Sequence, residues 1–141
     1  MSEVQWKPEY ELGVVTMDDT HREFIDLLNR LADCPPAEAL ERFDALLDHT
    51  VAHFWQEDVW MDKSDFPPLY CHRGEHERVL DVLREVRRLI AAGDDGIVVT
   101  LLRELPLWFD NHAATMDAAL AGHIERTGFA AERINAEAAP A

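Results

Sequence analysis

Residues 49–58, HTVAHFWQED, repeat metal-binding side-chain types every four positions: His49, His53 and Glu57. Four residues turn an α-helix by about 400°, so each of these lies about 40° around from the last and about 6 Å further along. The stretch reads as one helix with imidazoles and a carboxylate on one face. Any amphipathic helix offers the same spacing, so the rest of the chain has to decide between a metal-holding face and an ordinary core face.

Upstream and downstream, three more apolar stripes recur at helical spacing between Pro and Gly punctuation. The first helix follows TMDDT, a run of good N-caps, and carries His21, Phe24, Ile25, Leu28, Leu31 and Ala32 before it stops near Cys34-Pro35-Pro36. The second runs from Pro36 or Ala37 to about Met61, with Leu46, His49, Thr50, His53, Glu57 and Trp60 inside. After the turn DKSDFPP, the third runs from about Leu69 to Ala92 and carries His72, His76, Val79, Leu83, Val86 and Ile90. The fourth runs from about Ile97 to Ile124, with Val98, Leu101, Leu105, Trp108, His112, Met116 and Ala119 inside and a kink or break expected at Pro106. The tail GFAAERINAEAAPA adds a helical turn or frays. No strand-like alternation and no internal repeat is present. Four long helices with short connections predict an all-α, antiparallel up-down-up-down four-helix bundle with an N-terminal arm and a short C-terminal tail. The expected organisation is one domain over residues 1–141: arm 1–17, bundle about 18–124, tail 125–141.

The bulk numbers narrow the function. A chain of 141 residues with 48% apolar side chains can bury a core without staples. Its formal charge of −15 repels nucleic-acid phosphates and anionic membrane faces, whereas bound cations offset it. The start MSEVQWKPEYELG has neither the basic nor the apolar region of a signal peptide, and no run approaches the roughly 20 apolar residues of a membrane helix. Cys34 and Cys71 are far apart, so two reduced thiols in a cytoplasmic protein are expected. Cys71 beside His72 points about 100° away from it on a helix, against a shared ligand role.

One histidine on an apolar stripe is ordinarily a hydrogen-bonded core residue. Here three consecutive helices carry the pairs His53/Glu57, His72/His76 and His112/Asp117, and the first adds His21. The first two pairs are i,i+4. The third is i,i+5, about 140° apart on a regular α-helix. Burying five imidazoles and two carboxylates unpaired costs on the order of 1–3 kcal/mol each, enough to consume a domain's stability of roughly 5–15 kcal/mol. Metal resolves the conflict. The chain lacks a Cys₄ or Cys₂His₂ set, so a structural zinc finger is excluded. Seven ligands exceed one tetrahedral site and point to two metals, and the mixed imidazole and carboxylate donors suit iron. The Glu-x-x-His spacing of ferritin-like di-iron proteins is absent.

HFWQE, HRGEH, HAATMD and the lone His21, in that helix order, resemble the hemerythrins, and most closely the single-domain bacterial hemerythrins. Trp6 and Asn29 are similar to that family's arm and first helix. The resemblance covers about residues 6–120. It implies two Fe ions, with His72, His76 and His112 on one and His21 and His53 on the other, bridged by Glu57, Asp117 and an oxo or hydroxo group. It further implies one open position on the iron held by His21, His53, Glu57 and Asp117, which O₂ takes reversibly, with no catalytic residues and no enzyme activity. His49 is assigned to the lining beside the ligands and His123 to a place outside the site. Trp55 and Trp60 are candidate gates. The alternatives are a di-iron enzyme reducing peroxide or nitric oxide, and an oxygen or redox sensor module. The acidic surface suits a basic or redox protein partner.

Overall fold

Each apolar stripe becomes a helix in the computed structural model, which describes residues 3–134. The helices are α1 (Val15–Asp33), α2 (Ala39–Lys63), α3 (Leu69–Ala91), α4 (Gly96–His112) and α5 (Ala118–Thr127), the last two joined by a π-helical turn, Ala113–Asp117. Short 3₁₀ turns at Pro8–Tyr10 and Pro36–Glu38 precede α1 and α2. Among the described residues there is no strand. With α4, the π-turn and α5 acting as one rod, the molecule is a four-helix bundle in which α1 packs on α2, α2 on α3 and α3 on α4. Among the described residues no helix is long and apolar enough to cross a membrane.

Four sequence expectations change. The TMDDT run does not cap α1, which starts earlier, at Val15. Instead the buried Asp18 accepts the backbone N–H groups of Leu12 (2.9 Å) and Gly13 (3.2 Å), tying the arm to the helix. Pro106 does not break the fourth helix, since α4 continues through it to His112. The departure from α geometry comes later, at Ala113–Asp117, where the N–H of Ala118 reaches the carbonyl of Ala113 five residues back. That extra residue shifts the inner face: Asp117, Leu120, Ala121 and Ile124 are buried, whereas Ala119, expected inside, is exposed and Met116 only half-buried.

The tail is the fourth correction. Gly128, in the left-handed conformation at φ 69°, ends α5. Residues 128–134 are not helical and run back over α1 and α2. Trp60 donates its indole N–H to the Glu132 carbonyl (3.0 Å), the Ile134 N–H donates to the Gln56 side chain (2.9 Å), and Arg133 grips Glu23 with two hydrogen bonds (3.0 and 2.7 Å). The rest of that stretch, residues 135–141, lies outside the described residues. At the other end Val4 and Asn29 exchange two hydrogen bonds (2.8 and 3.0 Å), and the Arg22 guanidinium covers Trp6 at 4.3 Å.

The interior has three layers. Phe24, Leu28, Phe43, Leu46, Leu83, Leu105 and Phe109 form part of an upper apolar cluster. Met17, Trp60, Met61, Phe66, Leu120 and Ile124 form part of a lower one. Between them lies a sheet of buried polar groups that includes His21, His53, Glu57, His72, His76, His112 and Asp117.

Candidate metal centre

Helical spacing brings the polar layer together. His53 and Glu57 lie one turn apart on α2, His72 and His76 one turn apart on α3, and His21 faces them from α1. On a regular helix His112 and Asp117 would diverge; the π-turn, whose hydrogen bonds span five residues, swings Asp117 back under His112. All seven side chains are at most 4% exposed.

The contacts divide the cluster. Glu57 turns one oxygen, Oε1, toward His76 Nε2 (3.3 Å) and His72 Nε2 (3.5 Å), and the other, Oε2, toward His53 Nε2 (2.9 Å) and His21 Nε2 (3.4 Å). Asp117 does the same, with Oδ1 at 3.2 Å from both His72 Nε2 and His112 Nε2, and Oδ2 at 3.1 Å from His21 Nε2. Five imidazoles thus present the same ring nitrogen inward, and two carboxylates straddle the middle. Glu57, His72, His76, His112 and Asp117 offer donor atoms all within 4.8 Å of one another, and so do His21, His53 and Glu57.

The donor set fits a pair of metal cations. His21 Nε2, His76 Nε2, Glu57 Oε1 and both Asp117 oxygens are buried without a hydrogen-bond partner. Orphaned atoms of this kind destabilise a fold unless something binds them. Protons are the weaker substitute. Burial opposes charging of His21 and His72, yet the Asp117 and Glu57 carboxylates override it and raise both to about 10. Burial dominates at His53 and pushes it down to about 4. Burial likewise opposes ionisation of Glu57 and Asp117, and the surrounding imidazoles hold both below the usual carboxylate range. Without metal, then, protons on the facing imidazoles offset the two carboxylates, and a cation that takes the site displaces protons.

Around this core the two halves differ. His76 Nδ1 sits 2.9 Å from Asp58, and His112 Nδ1 sits 3.1 Å from Glu75, which also accepts the Trp108 indole N–H (3.0 Å). Phe54 stacks on His76 and Trp108 on His112. The outer nitrogens of His21 and His53 have no partner. Their rings rest against each other and against Phe109 and Phe24.

His49 stays out of the donor cluster: its Nε2–H donates to the Thr20 carbonyl (3.1 Å) and its ring lies 6.0 Å from that of His53. With Gln56, Arg133 and Ile134 it lines a cavity of about 390 Å³ beside His53. His123 bonds to the Ser64 carbonyl (2.8 Å), away from the centre, and Cys71 is exposed. Asp58 is visible in the sequence only as the second of two acids after Phe54, and nothing there marks it or Glu75 as a partner of an imidazole. The available signal was their position, each adjacent in sequence to a cluster residue, at Glu57 and His76.

Comparison with known proteins points the same way. The family model of the hemerythrin HHE cation binding domain matches residues 12–124. The chain is 41% identical over 128 residues to the bacteriohemerythrin of Ralstonia nicotianae, covering 91% of this chain and 93% of that one. It is 27% identical over 113 residues to the bacteriohemerythrin of Methylococcus capsulatus, covering 77% and 86%. A crystal structure of wild-type hemerythrin superposes with a TM-score of 0.80 at 25% identity, covering 87% of this chain and 98% of that one.

Proposed function

This chain belongs to the hemerythrin family, and from that premise we propose that it binds O₂ reversibly at a pair of irons and is not an enzyme. His72, His76 and His112 would hold one iron, His21 and His53 the other, with Glu57 and Asp117 bridging them beside an oxo or hydroxo group. The observation that carries the proposal is the two-faced placement of Glu57, one oxygen toward each histidine set. When bound, the irons supply the electrons that O₂ draws on as it attaches.

The chain's own residues do the rest. Five imidazoles and two bridging carboxylates leave the two-histidine half one donor short, so a small ligand has a single place to enter. Phe24 and Phe109 wall that half with buried rings. A dry wall keeps out the water and protons that make oxidation irreversible. In the same proposal residues 1–141 act as one hemerythrin-like domain in the cytoplasm, with residues 4–13 and 132–134 tying its two ends to the bundle. O₂ is the ligand, and no nucleic acid or membrane is involved. The charge of −15 leaves room for a basic or redox protein partner.

The test is anaerobic purification with iron, a metal count, and visible absorption as air is admitted and removed. Two irons per chain and an absorption band that appears with O₂ and vanishes on deoxygenation are expected. Irreversible oxidation on first contact with air moves the assignment to a redox enzyme or sensor.

A further inference from the structure

We propose that the two halves of the centre fill in a set order, the three-histidine half first, and that Asp58 and Glu75 are the positioning residues that impose it. The inference rests on the two-metal reading above and concerns residues outside the seven donors.

Three features favour the same half. First, three imidazoles join the shared Glu57 and Asp117 in the half around His72, His76 and His112, against two, His21 and His53, in the other. Second, two of the three rings there have a carboxylate on the outer nitrogen: Asp58 on His76 at 2.9 Å and Glu75 on His112 at 3.1 Å. An Nδ1–H donated to a carboxylate fixes the tautomer that leaves the inner nitrogen free and makes that nitrogen a stronger donor. Third, those same two rings are clamped flat. Phe54 lies 4.0 Å from His76 at an interplanar angle of 5°, and Trp108 lies 4.5 Å from His112 at 21°. Trp108 also donates to Glu75, so ring and carboxylate are fixed together.

Neither His21 nor His53 has any of this. Their outer nitrogens are buried and unpartnered, and their neighbours meet them edge-on or tilted. The first ion therefore meets a preorganised set. It neutralises the two shared carboxylates, and the second ion arrives at a poorer and already compensated site. Outer partners of metal-binding histidines are worth about 10–100-fold in metal affinity each.

Calorimetric titration of the metal-free chain with Co²⁺, at one pH, reads the order directly. Two successive events are expected, the first at least about tenfold tighter. Asp58→Asn and Glu75→Gln should each weaken the first event by about 10–100-fold and move the second by less than about threefold. With one equivalent of Co²⁺ bound, the hyperfine-shifted N–H protons of His76 and His112 should resist exchange, Asp58→Asn speeding exchange of the first and Glu75→Gln of the second. Trp108→Phe, which keeps a stacked ring but removes a donor to Glu75, should give a smaller loss confined to the first event. It also serves as the test if either carboxylate variant fails to fold. Two equal sites in the parent chain, or variants that weaken both events alike or neither, overturn the order. Fewer than two Co²⁺ at saturation overturns the two-metal reading itself.

Discussion

Glu57 is the side chain on which the centre turns, since it faces four of the five inward histidines. Glu57→Gln keeps its shape but removes a charge and half its capacity to bridge. The expected outcome is fewer than two irons retained per chain after desalting, with affinity reduced by more than the roughly 10–100-fold typical of outer partners. Phe109 has a different role. It is buried against Tyr10, His21 and Phe24. Phe109→Ala should lower stability by about 3–5 kcal/mol in denaturant unfolding. It should also speed irreversible oxidation of the iron-loaded protein in air, because water gains a route to His21. At this scale the sequence was informative about donors and silent about their supports. Imidazoles and carboxylates one turn apart on inner faces stand out against apolar neighbours. Asp58 and Glu75 look like any other acid on a chain with 28 of them, and only the third dimension shows which reach an imidazole.

The π-turn and the tail are the elements that the sequence concealed. The four helices were legible from apolar periodicity because each buries a continuous stripe. A single inserted residue, though, leaves local composition unchanged, and Ala113-Ala114-Thr115-Met116 favours a helix of either kind. The only clue was the five-residue interval from His112 to Asp117. Deleting Thr115, which is exposed, should restore regular α-helix without turning Leu120 or Ile124 out of the core. The metal-free variant should then keep its far-UV helicity and melting temperature, and metal affinity should stay within about tenfold of the parent's, since Asp117 then follows His112 at the one-turn spacing of His53 and Glu57. The tail was hidden because its anchors are backbone atoms of Glu132 and Ile134 and the long-range pair Arg133–Glu23. Arg133 holds the Glu23 carboxyl below its ordinary 4.5, against a smaller opposing effect of burial. Folding thus favours the ionised form, so the clamp contributes fully above pH 4.5 and fades as pH falls through the lowered value. Both partners are about half exposed, which limits its worth to about 1 kcal/mol at most. The stability difference between the parent chain and Arg133→Ala should therefore close in strong acid, as read from unfolding curves at a series of pH values.

At the scale of the whole molecule, 28 acidic against 13 basic side chains make the metal-free chain repel itself. Moderate salt should raise its melting temperature, and bound iron should raise it further. A hundredfold excess over the dissociation constant is worth about 2.7 kcal/mol, provided the unfolded chain does not compete. The layered interior carries this one step further. The two apolar clusters meet only across a slab of imidazoles and carboxylates, and such a slab transmits little of the packing that makes a small domain melt as one body. Ions would rivet α1, α2, α3 and the π-turn together through that slab. The stripped chain should accordingly open in two pieces, the end holding Trp60, Phe66 and Leu120 exchanging its amide hydrogens at a lower free energy than the end holding Phe24, Phe43 and Leu83. Loading metal should merge the two into one opening event. In this bundle the ligand set is then also the hinge-pin of cooperativity, and a chain that has lost its ions becomes two half-proteins sharing four helices.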